Sequence, residues 1–393
     1  MGLHLHNWQI KSESVITSPS PRFHRTLQKA GISILTALII AAPAAAQIVE
    51  NPKQAPAPNA GRIVPLKEVA RITDRAGEFL FVEPVAVFTG EDGAVYVQEY
   101  KQFLKFDAAG RFAGNLLKKG DGPGELNDLT DVIVRKDDIL LWSSNTLKFI
   151  RLDLKGNLLE DRRFGQHIFG NLLGLSGGKH FFLKWEMGER PKASGIYESN
   201  RRMVIVPAQG DVIGTPAMMP MTESWNYRPG SAGRTGSVSV STISRLTATW
   251  VGDHDVFLFH SPDYLIKHLD LETGKIVRSF RRPYDRVKYE VKPAKGHPPE
   301  LVPKYYNDLC RILWKGDKLW VVTSTFDPKK GILVDVFSRD GKYIDNFYLP
   351  LFRIKRNNAQ YYAPMAIHGN FLYVLEPDED DVISLAKYEI AGK

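Results

Sequence analysis

Residues 102–126, QFLKFDAAGRFAGNLLKKGDGPGEL, constrain the fold more than any other stretch, because they hold one and a half copies of a pattern that recurs down to the C-terminus. Phe103, Lys105 and Asp107 alternate with Gln102, Leu104 and Phe106, the period of two that gives a strand two differently solvated faces. Asp107-Ala-Ala-Gly110 reads as a turn, in which the Asp carboxylate accepts from backbone N–H groups and Gly adopts positive φ at no steric cost. A second strand is expected over 112–117, after which Gly120-Asp-Gly-Pro-Gly-Glu125 breaks the chain.

Sets of four such strands can be marked off in order. The first takes 85–88, 94–98, 103–107 and 112–117, and the second 129–134, 139–142, 147–153 and 158–164. The third takes 172–175, 180–184, 202–206 and 212–215, and the fourth 246–251, 256–259, 264–270 and 276–280. The fifth takes 309–314, 319–323, 332–337 and 343–349. The sixth has only 363–367, 371–375 and 383–389, and the segment 63–72 is free to supply its missing strand. The expectation is an all-β chain, a six-bladed β-propeller of four-stranded antiparallel blades over 62–393, closed by the N-terminal strand joining the last blade. Closure removes the exposed edge that an open stack of sheets would leave. Seven blades is the alternative, since 237–243, SVSVSTI, is strand-like and belongs to none of the sets.

The N-terminal residues 1–46 read as a signal peptide: Arg22, Arg25 and Lys29 precede an apolar run over 32–42, and Ala44-Ala-Ala46 offers a cleavage site after Ala46. The run is roughly half the ~20 residues that a spanning helix needs, so no transmembrane segment is expected after cleavage. A Pro/Ala-rich linker over 47–61 follows, without periodicity. Of 52 Lys/Arg and 44 Asp/Glu, four and one fall in the first 46 residues, leaving 48 and 43. That balance is mild and dispersed, without the dense basic patch that nucleic acid requires, and no nucleic-acid partner is expected. The single cysteine, Cys310, cannot form an internal disulfide. An exported protein without disulfides fits a periplasmic or secreted location.

The Phe106-Asp107-x-x-Gly110 turn, the order of short hairpins and Gly120-Asp-Gly-Pro-Gly-Glu125 after the first complete set resemble the six-bladed β-propeller proteins of bacterial genomes, NHL-like members of the TolB-like six-bladed superfamily. The resemblance covers about Arg62 to the end. It implies a fold and an exported location, and it carries over no catalytic residue, because the family has no single assigned activity.

Two readings of Glu125 stand side by side. Gly122-Pro-Gly-Glu125 matches a type II turn, which makes the segment a rigid connector, while a ligand-binding role would aim the Glu125 carboxylate at a pocket. In each set the first-to-second and third-to-fourth turns lie at one end and are short. The long segments, 185–201, 216–245, 281–308, 324–331 and 350–362, all fall at the other end. They carry Trp185, Glu186, Arg190, Trp225, Tyr227, Arg228, Tyr284, Tyr305, Tyr306, Arg353, Tyr361 and Tyr362, the aromatic and Arg content of a recognition surface. The same rings could instead pack the loops down onto the sheets.

The function expected from this is a binding or scaffold module without cofactor, with a protein, peptide or glycan as partner. The alternative is a metal-dependent hydrolase or lyase of lactonase-like kind, with a Ca or Zn ion in the central channel. Such a site needs several His or carboxylate ligands converging. His167, His260 and His297 fall near the elaborated end without ligand-like spacing, and His180, His254 and His368 belong to the other. There is no G-x-S-x-G, P-loop or G-x-G-x-x-G, so no catalytic residue is nominated.

Overall fold

The computed structural model describes residues 48–74, 77–165, 168–186, 193–209, 211–228, 237–243, 246–260, 262–289, 298–351, 354–356, 359–361, 363–377 and 382–391. The signal peptide expected over 1–46 lies outside them.

The turns behave as their residues dictate. Asp107 accepts from the N–H groups of Ala109 (3.0 Å) and Arg111 (2.9 Å), and Asp153 repeats the arrangement with Lys155 and Asn157 (2.8 Å each). Between such turns the strands build small antiparallel sheets in chain order. The first sheet holds Ala86–Thr89, Val95–Gln98, Phe103–Phe106 and Phe112–Asn115; the second Asp131–Val134, Asp138–Ser143, Lys148–Asp153 and Leu158–Arg163. The third holds Gly170–Ser176, Lys179–Glu186, Gly195–Val206, Ile213–Arg228 and Ser237–Thr242. Thr247–Val251, Asp255–Phe259, Ile266–Asp270 and Lys275–Arg281 form the fourth. Leu309–Lys315, Lys318–Asp327, Gly331–Ser338 and Tyr343–Leu349 form the fifth. The sixth, Met365–His368, Phe371–Pro377 and Ile383–Ile390, takes Leu66–Ile72 as its outer strand, antiparallel, with Ile390 opposite Leu66 and Leu385 opposite Ile72. Ser237–Thr242, strand-like in sequence and outside every set, thus extends the third sheet.

Apolar side chains fill the space between consecutive sheets. Tyr96, Phe103, Ile139 and Leu141 join the first and second; Trp142, Phe149, Leu172 and Phe182 the second and third; Phe181, Leu183, Leu258 and Leu269 the third and fourth. Phe257, Phe280, Val321 and Phe337 join the fourth and fifth, and Val322, Val334, Leu372 and Val374 the fifth and sixth. A sixth cluster sets Tyr373, Leu375 and Leu385 of the last sheet against Val97, Leu104 and Phe106 of the first. Each sheet is therefore covered on both faces, which is why the second strands Val95–Gln98 and Asp138–Ser143 are buried at every residue while the fourth strand Leu158–Arg163 is partly exposed throughout. Two indoles place their N–H groups across these seams: buried Trp142 Nε1 donates to the Gly170 carbonyl and half-buried Trp250 Nε1 to that of Leu173, both at 2.8 Å. The first strands of five sheets line one cavity of about 470 Å³.

The segment expected as a linker over 47–61 makes specific contacts. Ile48–Glu50 runs parallel to the outer strand of the fourth sheet, pairing Val49 with Phe280, and Arg62–Ile63 runs parallel to the outer strand of the fifth. Asn51 ties the two sheets together: its Nδ2 donates to the carbonyls of Arg281 (3.1 Å) and Gly341 (2.9 Å), and its Oδ1 accepts from Tyr343 N–H (2.8 Å). Arg62 grips Asp345 with both Nη atoms, at 3.0 and 2.9 Å. Residues 48–72 thus edge the fourth, fifth and sixth sheets in turn, and only the last of these contacts was foreseen. Replacing Asn51 by Ala should cost about 1–3 kcal/mol, the range for groups left unsatisfied in part-buried positions. A urea-unfolding midpoint equal to that of the parent would show that the segment adds nothing to stability.

Candidate functional site

The connections at one end of the sheets are all short, the longest running from Val206 to Ile213, whereas the opposite end carries 282–308 and 350–364. Several segments expected there as loops are strand. Gly195–Val206 and Ile213–Arg228 outrun the rest of the third sheet and pair along Gly195 to Arg201 against Trp225 to Met219. Ser237–Thr242 then pairs with Glu223 to Arg228. Most of the described part of 216–245 is therefore a three-stranded arm. The insertion expected at 324–331 shrinks to a turn, since the second strand of the fifth sheet continues to Asp327 and Lys330 N–H bonds its carbonyl. Within 350–362, Ile354–Arg356 and Ala359–Tyr361 form a two-stranded ribbon.

The 282–308 connection leans on the arm. Its two limbs are joined at Lys288 and Tyr305, and its short helical turn Pro299–Leu301 packs on both long strands of the third sheet with Leu301 buried. Asn307 Nδ2 donates to the Ile243 carbonyl at 3.0 Å.

The arm brings Trp185 and Trp225 into one chain of contacts. Phe169 lies 6.0 Å from the Trp185 ring, and the Arg201 guanidinium sits 4.7 Å from that ring on its other contact. Arg201 is only 8% exposed; its Nη2 is 3.7 Å from Glu223 Oε1, and Glu223 Oε2 accepts from Trp225 Nε1 at 3.2 Å. Alternation explains the arrangement: Arg201, Glu223 and Trp225 lie on the same face of paired strands, two residues apart along one of them. Beside them His260 is buried, and burial, followed by the Arg201 and Lys267 charges, holds it down to about 3, so the ring is neutral. Arg201, Glu223 and His260 were not nominated from the sequence. No fixed spacing in the sequence links Arg201 to Glu223; strand pairing joins them.

The tyrosines occupy a second patch. Tyr284 shares hydrogen bonds with Ser324 (3.0 Å) and Thr325 (2.8 Å), Tyr306 is buried against Tyr289 at 4.7 Å, and Tyr305 is exposed with Arg286 5.0 Å from its ring. Glu125 stands apart. Gly124 has φ +72° and Glu125 N–H bonds the Gly122 carbonyl at 3.1 Å, the turn the sequence asks for. The Glu125 carboxylate folds back to accept from Gly122 N–H at 2.9 Å. Arg190, Arg353 and Tyr362 lie outside the described residues, as do the side chains of Tyr227, Arg228 and Tyr361.

Below the patch, Arg282 is clamped between sheets. Its guanidinium lies 5.0, 5.3 and 5.1 Å from the rings of Tyr264, Tyr284 and Tyr343 and donates twice to Asp335 Oδ2 (2.8 and 2.6 Å). The hydroxyls of Tyr264 and Tyr343 donate to the same carboxylate at 2.6 and 2.8 Å. Nearer the first strands, Asp131 accepts from Leu172 N–H (2.9 Å) and Asn171 Nδ2 (3.1 Å), yet burial pushes its carboxyl up to about 6. Among the described residues no three His, Cys, Asp or Glu side chains gather as a metal-ligand set, and His167 and His297 lie outside them. Among the described residues, too, no helix is long and apolar enough to cross a membrane.

No protein-family model and no curated protein matches the chain. Among solved structures, a candidate exported protein of Bacteroides fragilis is 14% identical with a TM-score of 0.52, covering 88% of this chain and 100% of its own. A member of the DUF4221 family from Bacteroides vulgatus is 11% identical with a TM-score of 0.50, covering 84% and 99%. Both are β-propellers, and likeness at this identity shows the fold alone: the chain is a β-propeller.

Two measurements test the polar groups. Asp335→Asn should destabilise the protein by about 3–5 kcal/mol, because it strips the counter-charge from a buried guanidinium, and Arg282→Met added to it should restore part of the loss. For Asp131, between its ordinary value of 3.8 and about 6 the folded state holds a proton that the unfolded state has released. Stability from this group is full below the lower value and lost as pH rises through the upper one. Asp131→Asn should therefore gain on the parent by ~2 kcal/mol between pH 4 and pH 7 in urea unfolding, and parallel curves would refute the assignment.

Proposed function

We propose that the chain is an exported six-bladed β-propeller, closed by Leu66–Ile72 in the sixth sheet, that binds a protein, peptide or glycan partner through the end bearing the arm of the third sheet and the 282–308 connection. Six apolar seams, the last between the sixth and first sheets, support the blade count and the closure. The basic and apolar pattern of the first 46 residues supports export, as does the description of the Bacteroides fragilis protein as a candidate exported one.

The observation that carries the binding role is the Phe169–Trp185–Arg201–Glu223–Trp225 chain, built on strands that extend past the rest of their sheet. Rings and a guanidinium held in fixed rotamers give large contact area and directional donors while losing little entropy on association. The site residues proposed are Trp185, Trp225, Tyr227, Arg228, Arg190, Tyr284, Tyr305 and Tyr306, with Arg201 and Glu223 positioning the two indoles. Glu125 is left to the connector.

The test is capture of partners from a cell envelope by the purified protein and by its Trp185→Ala/Trp225→Ala variant. Loss of two anchors of this kind should cost at least ~2 kcal/mol each and reduce recovery more than tenfold. Recovery of the same partners at the same yield by both proteins would end the proposal.

A further inference from the structure

The end of the sheets that carries the arm divides its charge. The connections 282–308, 328–330 and 350–364, which meet at the fifth sheet, hold 11 Lys/Arg and four Asp/Glu, while 73–85, 99–102 and 378–382, on the sixth and first sheets, hold two and eight. The two excesses nearly cancel, which is why the balance of the whole chain is mild. On the first side Lys288, Lys304, Lys329 and Lys330 are exposed, and none has an ion-pair partner among the described residues. Asp285 is committed to Lys53, and Asp263 and Asp308 to Arg286, so Glu300 and Asp327 are the described carboxylates left on this side. Tyr284 ties the connections together through Ser324 and Thr325, and Lys330 lies 5.1 Å from the Tyr348 ring.

The other side is apolar as well as acidic. Leu80, Val82, Val85, Tyr100 and Val382 are between 48% and 64% exposed. Alternation produces the first pair: Phe79 and Phe81 enter the seam between the sixth and first sheets, which leaves Leu80 and Val82 to solvent. Gln102 Nε2 donates to the Leu80 carbonyl at 2.7 Å, Val82 N–H to Glu99 Oε1 at 2.9 Å and Val85 N–H to the Gln98 carbonyl at 2.9 Å, which gathers these residues around the 98–102 turn that bears Tyr100. Glu78 and Glu83 flank them, exposed and without an ion-pair partner among the described residues, and Lys101 is the exposed cation beside them. An apolar patch rimmed by carboxylates selects a cationic partner and repels an anionic one.

We propose that the occupant is a second copy of this chain, joined about a two-fold axis so that the apolar, acidic side of each copy lies on the lysine side of the other. A two-fold contact is isologous, so a surface that carries both members of a complementary pair satisfies both contacts at once. Tyr305, exposed beside Lys304 with Arg286 5.0 Å from its ring, gives the lysine side an aromatic to cover the exposed aliphatic residues. Height agrees with charge. The acidic side is bounded by the brief connections 99–102 and 378–382, whereas 282–308 leans on the arm, so the rotation sets the built-up side of each copy over the low side of its mate. The inference rests on the reading of this end as a binding surface and names one partner for it.

Sedimentation equilibrium of the purified protein at micromolar concentration tests it. A dimer is expected, and one that weakens as salt rises, because its ion pairs lie at the surface. Lys304→Glu/Lys329→Glu/Lys330→Glu and, separately, Glu78→Lys/Glu83→Lys should each weaken self-association more than about tenfold, since like charges then meet in both contacts. All five side chains are exposed, so both variants should keep the circular dichroism of the parent. An equimolar mixture of the two should form a dimer again, because opposite charges meet once more at the substituted positions. A monomeric parent, a dimer that neither charge reversal weakens, or variants that stay monomeric when mixed would overturn the proposal. None of these outcomes decides the capture of envelope partners by Trp185 and Trp225, which has its own assay.

Discussion

Each four-stranded sheet of this chain is apolar on both faces, and everything else in the structure answers to that. A sheet of four short strands cannot hide two such faces by itself; it must be sandwiched, and its neighbours must be sandwiched in turn. Burying one Phe or Leu contributes about 1.5–3 kcal/mol, and every seam holds several of them. Packing of consecutive sheets face to face, with the sixth against the first, leaves apolar cover on both faces of each. It also fixes where polar groups can go: into the turns at one end, and into the crossovers and the arm at the other.

Much of this was legible in the residues. The turn at Asp107 and the alternating runs marked off after it located most strands of the antiparallel sheets, because Asp and Gly at such positions have a physical job that few other residues do. The arm was not legible. Pro216 and Pro220 interrupt its long strand, and a proline normally marks a strand as ended; here Pro220 stands opposite Asn200 and the pairing continues past it. The segment 48–63 was missed for a different reason. Its pairings are two or three residues long and parallel to distant strands, so no local period announces them. Tertiary neighbours decide such contacts, and neighbours are what a single sequence hides.

The candidate site shows the same division. Trp185 and Trp225 stood out as aromatic residues in elaborated segments, but the groups that hold them, Arg201 and Glu223, are joined only once strands of the third sheet lie side by side. Buried charge is costly unless it is paired, and both Arg201 with Glu223 and Arg282 with Asp335 meet that condition beneath the surface they support. The rings above gain fixed orientations from it.

The outer strand of the sixth sheet comes from Leu66–Ile72, and its partner Ile383–Ile390 is made more than 300 residues later. A chain folding in order can therefore complete the five preceding sheets while residues 66–72 still wait for a mate. Contacts so remote in sequence must overcome a large loop-closure entropy, which places this pairing late on the folding route and makes it slow. Until it forms, the edge of Ile383–Ile390 is open to any other extended chain. A holding factor that keeps residues 66–72 occupied would leave that edge of the sixth sheet bare.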